Sequence, residues 1–485
     1  MKFFKKKLLL GLAPVVGILP IATVSCGASD IQVTNIKVDN DLKLSANEKL
    51  AVKKIALILD EGTVNDKSFN QSSWEALQKF ATENELQYDK KGFANNAAVG
   101  YYAIANKNYL DQYDAAINQG YSVLLLNGFT HEEYLKKWLE NQTNIDKLKA
   151  RKIVFIALDF TLSDKVLDEV TQKGANGFFI SLQYKSNEGG FIAGLAASDM
   201  FKDEADAQNR TFTTFGGSDI NAVTDFNEGF YKGVYFGNLI RENANNRLKS
   251  VNDGDSVLLD TNFDAAKTDK QTKVQGVIKK NTKLILPVAG SWTQYVTKNM
   301  KSSQYVIGVD GDQGIADTGK TGQYFTSITK NIGQSVFEVI SVLQKTNEEL
   351  LNKYVGEFRL GTKNVRLTKG FDADWSGVAP THLSNETLAK KAQTALDNAT
   401  KAFRQLKNNL ALRKFIEVGY TTLNGDGTEN DTKIDDNAKR INALSDLLEN
   451  PESIQYSQYW KNIYDNALNG TPVNAAPTNS EKPSN

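Results

Sequence analysis

The chain has 485 residues, enough for more than one domain, and its 40% hydrophobic content is sufficient for a buried core. Its 57 basic and 57 acidic residues balance, so the chain lacks the basic field that binds nucleic acid, and we predict no nucleic-acid partner. Cys26 is the only cysteine, which excludes an intramolecular disulfide.

The first 25 residues have the pattern of a secretory signal. Residues 8–24 are apolar apart from Thr23, they are shorter than a typical membrane-spanning helix, and they follow the positive charges of Lys2, Lys5, Lys6 and Lys7. The segment ends at Ser25-Cys26-Gly27 and resembles a bacterial lipoprotein signal, although Thr23 stands where that signal usually has leucine. The resemblance implies diacylglycerol and palmitate on Cys26 and a protein anchored on the outer face of the cell membrane.

Both ends of the remaining chain are polar. Residues 26–50 show no sustained helical or strand period, and we predict a tether between the lipid and the first domain. Residues 469–485 hold three of the eight prolines together with Ser, Thr and Asn, which predicts a disordered tail.

Between these ends, short apolar runs alternate with amphipathic stretches. The predicted strands are residues 55–59, 123–126, 153–158, 177–180, 211–215, 257–259, 284–286 and 306–309. The predicted helices are residues 72–85, 188–200, 227–240, 292–300 and 332–345, followed by helical stretches at 385–414 and 436–467. Continuously apolar strands separated by helices indicate parallel sheets covered on both faces. Roughly ten such units favour two lobes over one open sheet, with a closed (β/α) barrel as the structural alternative.

Polar residues follow the ends of most predicted strands. Ligands of open α/β sheets bind beyond the carboxyl ends of the strands, so these residues are candidates for a binding cleft. They are Asp60, Asn127, Gly128, Asp159, Gly290 and Asp310. Each one could instead cap a helix or form a turn. Several carboxylates facing one cleft would suit vicinal hydroxyl groups, and Phe69 and Phe226 offer faces for a flat ring.

Several motifs follow one another along the chain. In order they are Asp60-Glu61-Gly62 with Asp66-Lys67-Ser68-Phe69-Asn70-Gln71, Asn187-Glu188-Gly189-Gly190-Phe191-Ile192-Ala193-Gly194, Phe215-Gly216-Gly217 with Asp225-Phe226 and Glu228-Gly229-Phe230, Ile307-Gly308-Val309-Asp310-Gly311-Asp312-Gln313, and Thr326-Ser327-Ile328-Thr329-Lys330-Asn331. Together they resemble the basic membrane protein (Bmp, PnrA-like) family of nucleoside-binding lipoproteins, and within it the mycoplasma surface lipoproteins. The resemblance covers about residues 52–375. It does not cover residues 243–273, which look like an insertion, or the roughly 100 residues beyond Trp375.

The resemblance implies a type I periplasmic-binding fold, an α/β architecture with a mainly parallel, helix-flanked sheet in each of two lobes. We expect the first lobe at residues 51–160, with a return segment at about 325–350, and the second at 161–324, with a return segment at about 351–380. A helical extension is expected at residues 381–468.

The resemblance also implies a binding site. It places a nucleobase between Phe69 and Phe226 and the ribose hydroxyls against Asp60 and Asp310, with Lys330 and the Gly290 backbone nearby. It implies that Asp159 contacts a polar edge of the base. Asn70, Asn127 and Gly128 complete the candidate site. Asp66 fits the same motif, but it could equally cap the helix that carries Phe69.

These implications describe the substrate-binding lipoprotein of an ABC importer. Its ligand would be a nucleoside, with a purine favoured, and its partner an ABC permease in the membrane. Two alternatives stand beside this interpretation: a surface interaction protein such as an adhesin, and a sugar receptor of the same fold. The presence of Phe69, Asp60, Asp310 and Lys330 favours a working receptor, because an adhesin has no need of them.

The sequence does not match the common catalytic motifs. His131-Glu132-Glu133 lacks the second histidine of a zinc helix, and neither a nucleophile elbow nor a phosphate-binding loop is present. Residues 424–435 are acidic and Gly-rich, but their glycines fall at the wrong offsets for a calcium loop. We therefore predict a binding protein without catalytic residues, metal or cofactor.

Overall fold

The computed structural model describes residues 32–60, 62–89, 97–317 and 319–473. The predicted signal, the predicted lipid-attachment residue Cys26 and most of the predicted tail lie outside these residues. None of the helices within the described ranges is both long enough and apolar enough to cross a membrane.

Twelve strands form two six-stranded sheets in the described part of the chain. The strands are β1 Ile55–Ile58, β2 Val99–Tyr102, β3 Val123–Asn127, β4 Val154–Leu158, β5 Phe179–Tyr184, β6 Thr211–Gly216, β7 Lys249–Ser250, β8 Leu284–Val288, β9 Tyr305–Asp310, β10 Tyr324–Lys330, β11 Val365–Lys369 and β12 Ser376–Val378. The first sheet has the order β11-β5-β4-β3-β1-β2 and the second has the order β12-β10-β9-β8-β6-β7.

All neighbouring strands in both sheets are parallel except β12, which runs antiparallel to β10. The central strands β1, β3, β4 and β8 are buried along their whole length, because helices cover both faces of a parallel sheet. The predicted α/β class with two lobes is therefore confirmed.

Helices connect the strands and extend the chain beyond them. They are α1 Ala46–Leu50, α2 Phe69–Glu83, α3 Tyr109–Asn118, α4 His131–Glu140, α5 Gln142–Ala150, α6 Asp164–Gln172, α7 Ser186–Phe201, α8 Asn221–Leu239, α9 Thr268–Lys279, α10 Trp292–Asn299, α11 Gln313–Ala316, α12 Ile332–Val342, α13 Glu348–Val355, α14 Glu386–Leu406, α15 Leu410–Ile416, α16 Asn437–Glu449 and α17 Gln458–Leu468. All five helices predicted between strands are present.

The chain crosses between the lobes three times, and the crossings differ from the expected residue ranges. β5 belongs to the first sheet, so the first crossing follows Tyr184 and not residue 160. β10 belongs to the second sheet, so the second crossing follows Lys330. β11 pairs with β5 in the first sheet, and the third crossing lies between β11 and β12. Strand patterns identify strands, but the partner of each strand is decided by long-range pairing.

Two further expectations were wrong. The described part of the expected tether is folded, since residues 32–50 contain α1 and bury Val33, Leu42 and Leu44. Its many polar residues suggested a linker. The apolar residues between them pack on the first lobe, which composition alone does not show. The predicted strand at 257–259 forms only an isolated bridge between Leu258 and Phe215.

Glycines allow α7 and α8 of the second lobe to pack at very short distance. A Cβ atom on Gly194 would overlap the Phe230 carbonyl oxygen, and one on Gly233 would overlap the Phe191 carbonyl oxygen. Gly229 lies equally close to the backbone of Asn187. Two of the motifs that carry the family resemblance therefore serve helix packing in this lobe.

The helical extension is part of the second lobe. Phe403 and Trp460 of the extension contact Phe191 and Phe236 of α7 and α8 in one continuous core. The regions that the resemblance left out also contact each other, since Ser250 of β7 hydrogen-bonds to a serine of α16 over 2.8 Å.

A buried ionic network joins α8 to the extension. The Glu228 carboxylate accepts from Lys232 Nζ at 2.6 Å, Arg440 Nε at 2.8 Å and the Gly419 amide at 2.9 Å. The three ionic side chains are 2% exposed or less. Lys232 also donates to the Glu417 carbonyl at 2.7 Å. Burial lowers the pKa of Lys232, and the charge of Glu228 opposes that shift.

Replacing Glu228 by Gln should strongly destabilise the second lobe, because it leaves the Lys232 and Arg440 charges buried without a counterion. We expect the free energy of unfolding to fall by about 3–5 kcal/mol in denaturant titrations. Glu140→Gln on the exposed end of α4 is the control and should cost about 0.5 kcal/mol or less. Equal losses for both variants would contradict the role of the network.

Candidate functional site

The carboxyl ends of the strands in the two lobes meet in a closed cleft. Ser68 Oγ at the start of α2 donates to Asp310 Oδ2 at the end of β9 over 2.7 Å. Gln313 Nε2 of the second lobe donates to the Lys67 carbonyl oxygen of the first at 3.3 Å. At another point the rings of Phe129 and Phe263, from opposite lobes, lie 6.0 Å apart. The lobes are therefore in contact across the cleft.

Lys330 is the centre of the cleft. As the last residue of β10 it is 4% exposed, and its ammonium donates to Asp159 Oδ2 of the first lobe at 2.6 Å. The same ammonium donates to the Ala222 carbonyl oxygen at 3.0 Å. It lies 4.8 Å from the centroid of the Phe226 ring and 5.9 Å from that of Phe69. The two predicted ring residues therefore converge on one buried cation.

Two aspartates bring their carboxylates to the cleft from strand ends in left-handed backbone conformations. Asp159 follows β4 with φ of 61°, and Asp310 ends β9 with φ of 67°. Aspartate tolerates this region better than most side chains, and such conformations concentrate at binding sites. Burial raises the pKa of Asp159, whereas the neighbouring Lys330 ammonium lowers it.

Asp66 caps the helix that carries Phe69. Its carboxylate accepts from the backbone amides of Ser68 and Asn70 at 2.9 Å and of Gln71 at 3.0 Å. Burial raises the pKa of Asp66 to about 6, and the charge of Asp310 adds to this shift. Of the two hypotheses for Asp66, the geometry supports the cap, which orients Phe69 indirectly.

Asn70 and Asn127 bind each other inside the first lobe. Asn127 Nδ2 donates to Asn70 Oδ1 at 2.6 Å, and Ser73 Oγ donates to Asn127 Oδ1. Asn127 is fully buried. These two predicted residues therefore stiffen the wall beneath Phe69.

Asp60 and Gly128 lie side by side on the same wall. Asp60 accepts from the Tyr109 hydroxyl and from the Thr130 amide. Gly128 has φ of 128°, and a Cβ atom there would come within 2.5 Å of Asp60 Oδ2. On the second lobe, Gly290 has φ of 57° and no heavy atom lies within 4 Å of a Cβ position, so its backbone borders open space.

A cavity of about 500 Å³ opens beside the cleft on the side of the crossing segments. Of the predicted site residues only Asp159 lines it, together with Ala222 and Asp225 of α8. Burial raises the pKa of Asp225 to about 8, and the charge of Glu228 adds to this shift. The extension supplies another wall through Phe403, Lys407, Arg413 and Glu417. Sequence patterns missed this wall because it is distant in the chain from the motifs.

Ser68 at the cleft and Asp225 in the adjoining cavity are among the residues that the sequence analysis did not select. Both lie inside motifs that carry the family resemblance, each next to a predicted ring residue. This position next to a ring residue is the sequence signal that could have identified them. His131 is fully buried; it donates to the Leu59 carbonyl and accepts from Tyr113, and burial lowers its pKa to about 4.

Comparisons with known proteins agree with this architecture. Residues 52–395 match the family model described as ABC transporter substrate-binding protein PnrA-like. The chain is 26% identical over 370 residues to the CD4+ T-cell-stimulating antigen of Listeria innocua, covering 72% of this chain and 87% of that protein. It is 29% identical over 214 residues to the ABC transporter nucleoside-binding protein BmpA of Lactococcus lactis, covering 43% and 48% of the two chains.

A further relative is basic membrane protein A1 of Borrelia garinii, with 24% identity over 61% of this chain and 74% of that protein. Among solved structures, the solute-binding protein of an ABC transporter system from Aeropyrum pernix aligns with a TM-score of 0.50 and 13% identity, covering 86% of this chain and 98% of that one. This likeness supports the two-lobed fold. Since the family model spans most of the two lobes, the chain belongs to the PnrA-like family of ABC transporter substrate-binding proteins.

Proposed function

We propose that this protein captures a nucleoside, with a purine favoured, in the cleft between its lobes and delivers it to an ABC permease. The observation that carries the proposal is the convergence of Phe69 and Phe226 on the Lys330 ammonium. Two faces of aromatic rings at one buried point suit a flat heteroaromatic base better than any other common polar solute.

The polar groups around the rings suit the rest of a nucleoside. Asp310 has a carboxylate that can accept hydrogen bonds from two sugar hydroxyls. In the closed cleft this carboxylate accepts a hydrogen bond from the Ser68 hydroxyl. Lys330 and Asp159 offer a donor and an acceptor to a base edge or a sugar oxygen. In the closed cleft these groups satisfy one another, and a bound nucleoside would replace those contacts with its own.

The alternatives predict different properties of the same cleft. A sugar receptor would bind free pentoses or hexoses tightly and would gain less from a second aromatic ring on the opposite lobe. An adhesin would tolerate the loss of either ring, because its contacts would lie on the outer surface. The relative from Lactococcus lactis, which is named as nucleoside-binding, supports the nucleoside proposal.

Phe69→Ala should weaken the binding of a purine nucleoside by about 1–3 kcal/mol in titration calorimetry, the usual loss for one stacked base. Phe69→Leu keeps the apolar volume without the ring, so it should lose nearly as much affinity while keeping the melting temperature of the parent. Equal affinity in the parent and both variants would remove the ring from the site. Tight binding of free sugars by the parent would favour the sugar receptor.

Asp310→Asn should lower the affinity for ribonucleosides about tenfold, the loss of one charged hydrogen bond. Free nucleobases should bind weakly and equally to both forms, because they lack the sugar. Ser68→Ala is the control for the contact between lobes, since it removes the hydroxyl that Asp310 accepts from. If Ser68→Ala loses as much affinity as Asp310→Asn, the carboxylate serves closure and the ribose contact is refuted.

We also propose that the protein is a lipoprotein anchored through Cys26 on the outer face of the cell membrane. The support is the position of the only cysteine at the end of the apolar signal segment. Cys26→Ser should abolish metabolic labelling with palmitate and move the protein out of the detergent-rich fraction. Unchanged partitioning of the variant would contradict lipid attachment at this residue.

A further inference from the structure

Residues 33–38, which we name the N-terminal strap, lie against the first lobe. The Glu75 carboxylate of α2 accepts from the Val33 amide at 3.0 Å, from the Thr34 amide at 2.9 Å and from the Thr34 hydroxyl. Further along, the Lys37 backbone exchanges two hydrogen bonds with the Gln334 side chain of α12, at 2.8 and 3.0 Å. These five hydrogen bonds to α2 and α12 therefore fix the strap to this lobe.

The beginning of the strap also contacts the second lobe. The Asp312 amide donates to the Val33 carbonyl oxygen at 3.3 Å. A Cβ atom on Gly311 would lie 2.9 Å from that oxygen and 3.1 Å from Val33 Cβ, so the turn and the strap are in tight contact. This turn directly follows Asp310, the carboxylate at the centre of the cleft.

We propose that the strap latches the closed cleft and that Glu75 is its positioning residue. Glu75 holds Val33 and Thr34 on the first lobe, where the Gly311–Asp312 turn of the second lobe reaches them only when the lobes are closed. Opening the cleft moves the turn away from α2 and breaks the Val33 contact together with the Ser68–Asp310 hydrogen bond. The strap therefore raises the closed fraction of the protein, and through it the apparent affinity for ligand.

The strap lies close in sequence to the proposed lipid-attachment residue. The strap begins a few residues after Cys26, where we propose that the lipid is attached. A force or a partner that pulls the strap off Glu75 would release the Asp310 turn and favour opening. The effect on ligand affinity rests on the proposed nucleoside function, whereas the effect on closure does not.

Gly311→Ala tests the latch directly. The added methyl group meets the Val33 backbone in the closed form only, and the φ angle of Gly311 lies outside the left-handed region, so alanine adds no backbone strain of that kind. Gly425→Ala in the extension is the matched control, because its Cβ would meet no heavy atom within 4 Å.

Closure can be measured without ligand in the full chain carrying Cys26→Ser, which removes the only native thiol. Dyes on cysteines placed at Glu133 of α4 and Lys298 of α10, both exposed positions on opposite lobes, report the separation of the lobes by single-molecule energy transfer. We expect Gly311→Ala to lower the closed-to-open ratio about tenfold and the affinity for adenosine by the same factor. Gly425→Ala should change neither quantity.

Glu75→Gln separates a latch from a general loss of stability. Once the strap is released, Gly311→Ala should lower the closed-to-open ratio by less than about threefold, a coupling that residues acting as one unit show. Thr34→Val, which removes one donor to Glu75 and keeps the side-chain shape, should reduce the effect of Gly311→Ala partway and provides the test if Glu75→Gln folds poorly.

The outcomes distinguish the two proposals. A ligand-free closed fraction that is absent in the parent, unaffected by Gly311→Ala, or affected equally with and without the Glu75 and Thr34 contacts overturns the latch. A closed fraction that responds as expected in a protein that binds no nucleoside upholds the latch and overturns the nucleoside proposal.

Discussion

The ion pair between Lys330 and Asp159 is the interaction on which the closed cleft depends. Both side chains are almost fully buried, at 2% and 8% exposed, and they come from strand ends in opposite lobes. A buried charge is costly without its partner, so opening the cleft must return both groups to water. The attraction between the two buried charges is thus offset by the hydration that both regain on opening. This offset suits a hinge that must open as well as close.

The same lysine is the point that both ring residues approach. Its ammonium contacts Phe226 from α8 of its own lobe and Phe69 from α2 of the other lobe. Phe69 is oriented by the Asp66 cap, and Asn127 supports the wall below it. The residues around the cleft therefore divide into those that we propose contact the ligand and those that hold the first group in position.

Local patterns predicted much of this arrangement. The apolar runs marked the central strands, and the polar residue after each run marked the cleft, because parallel strands bring their carboxyl ends to one edge. Asp159 and Asp310 were found in this way, whereas Lys330 was named only because the family resemblance implied it. The placement of β5 and β10, the contacts of residues 32–50 and the docking of the extension were not found, since each depends on pairing between segments far apart in the chain.

Some motif residues lie at the cleft and others pack helices together, and the sequence alone does not separate these two roles. Gly194 and Gly229 allow α7 and α8 to pack closely, which holds the helix that carries Phe226 against α7. Glu228 joins that pair of helices to the extension. The Gly311–Asp312 turn directly follows Asp310, so a contact at this turn acts on a carboxylate of the cleft. A short segment such as the strap can therefore influence binding although it contacts neither ring.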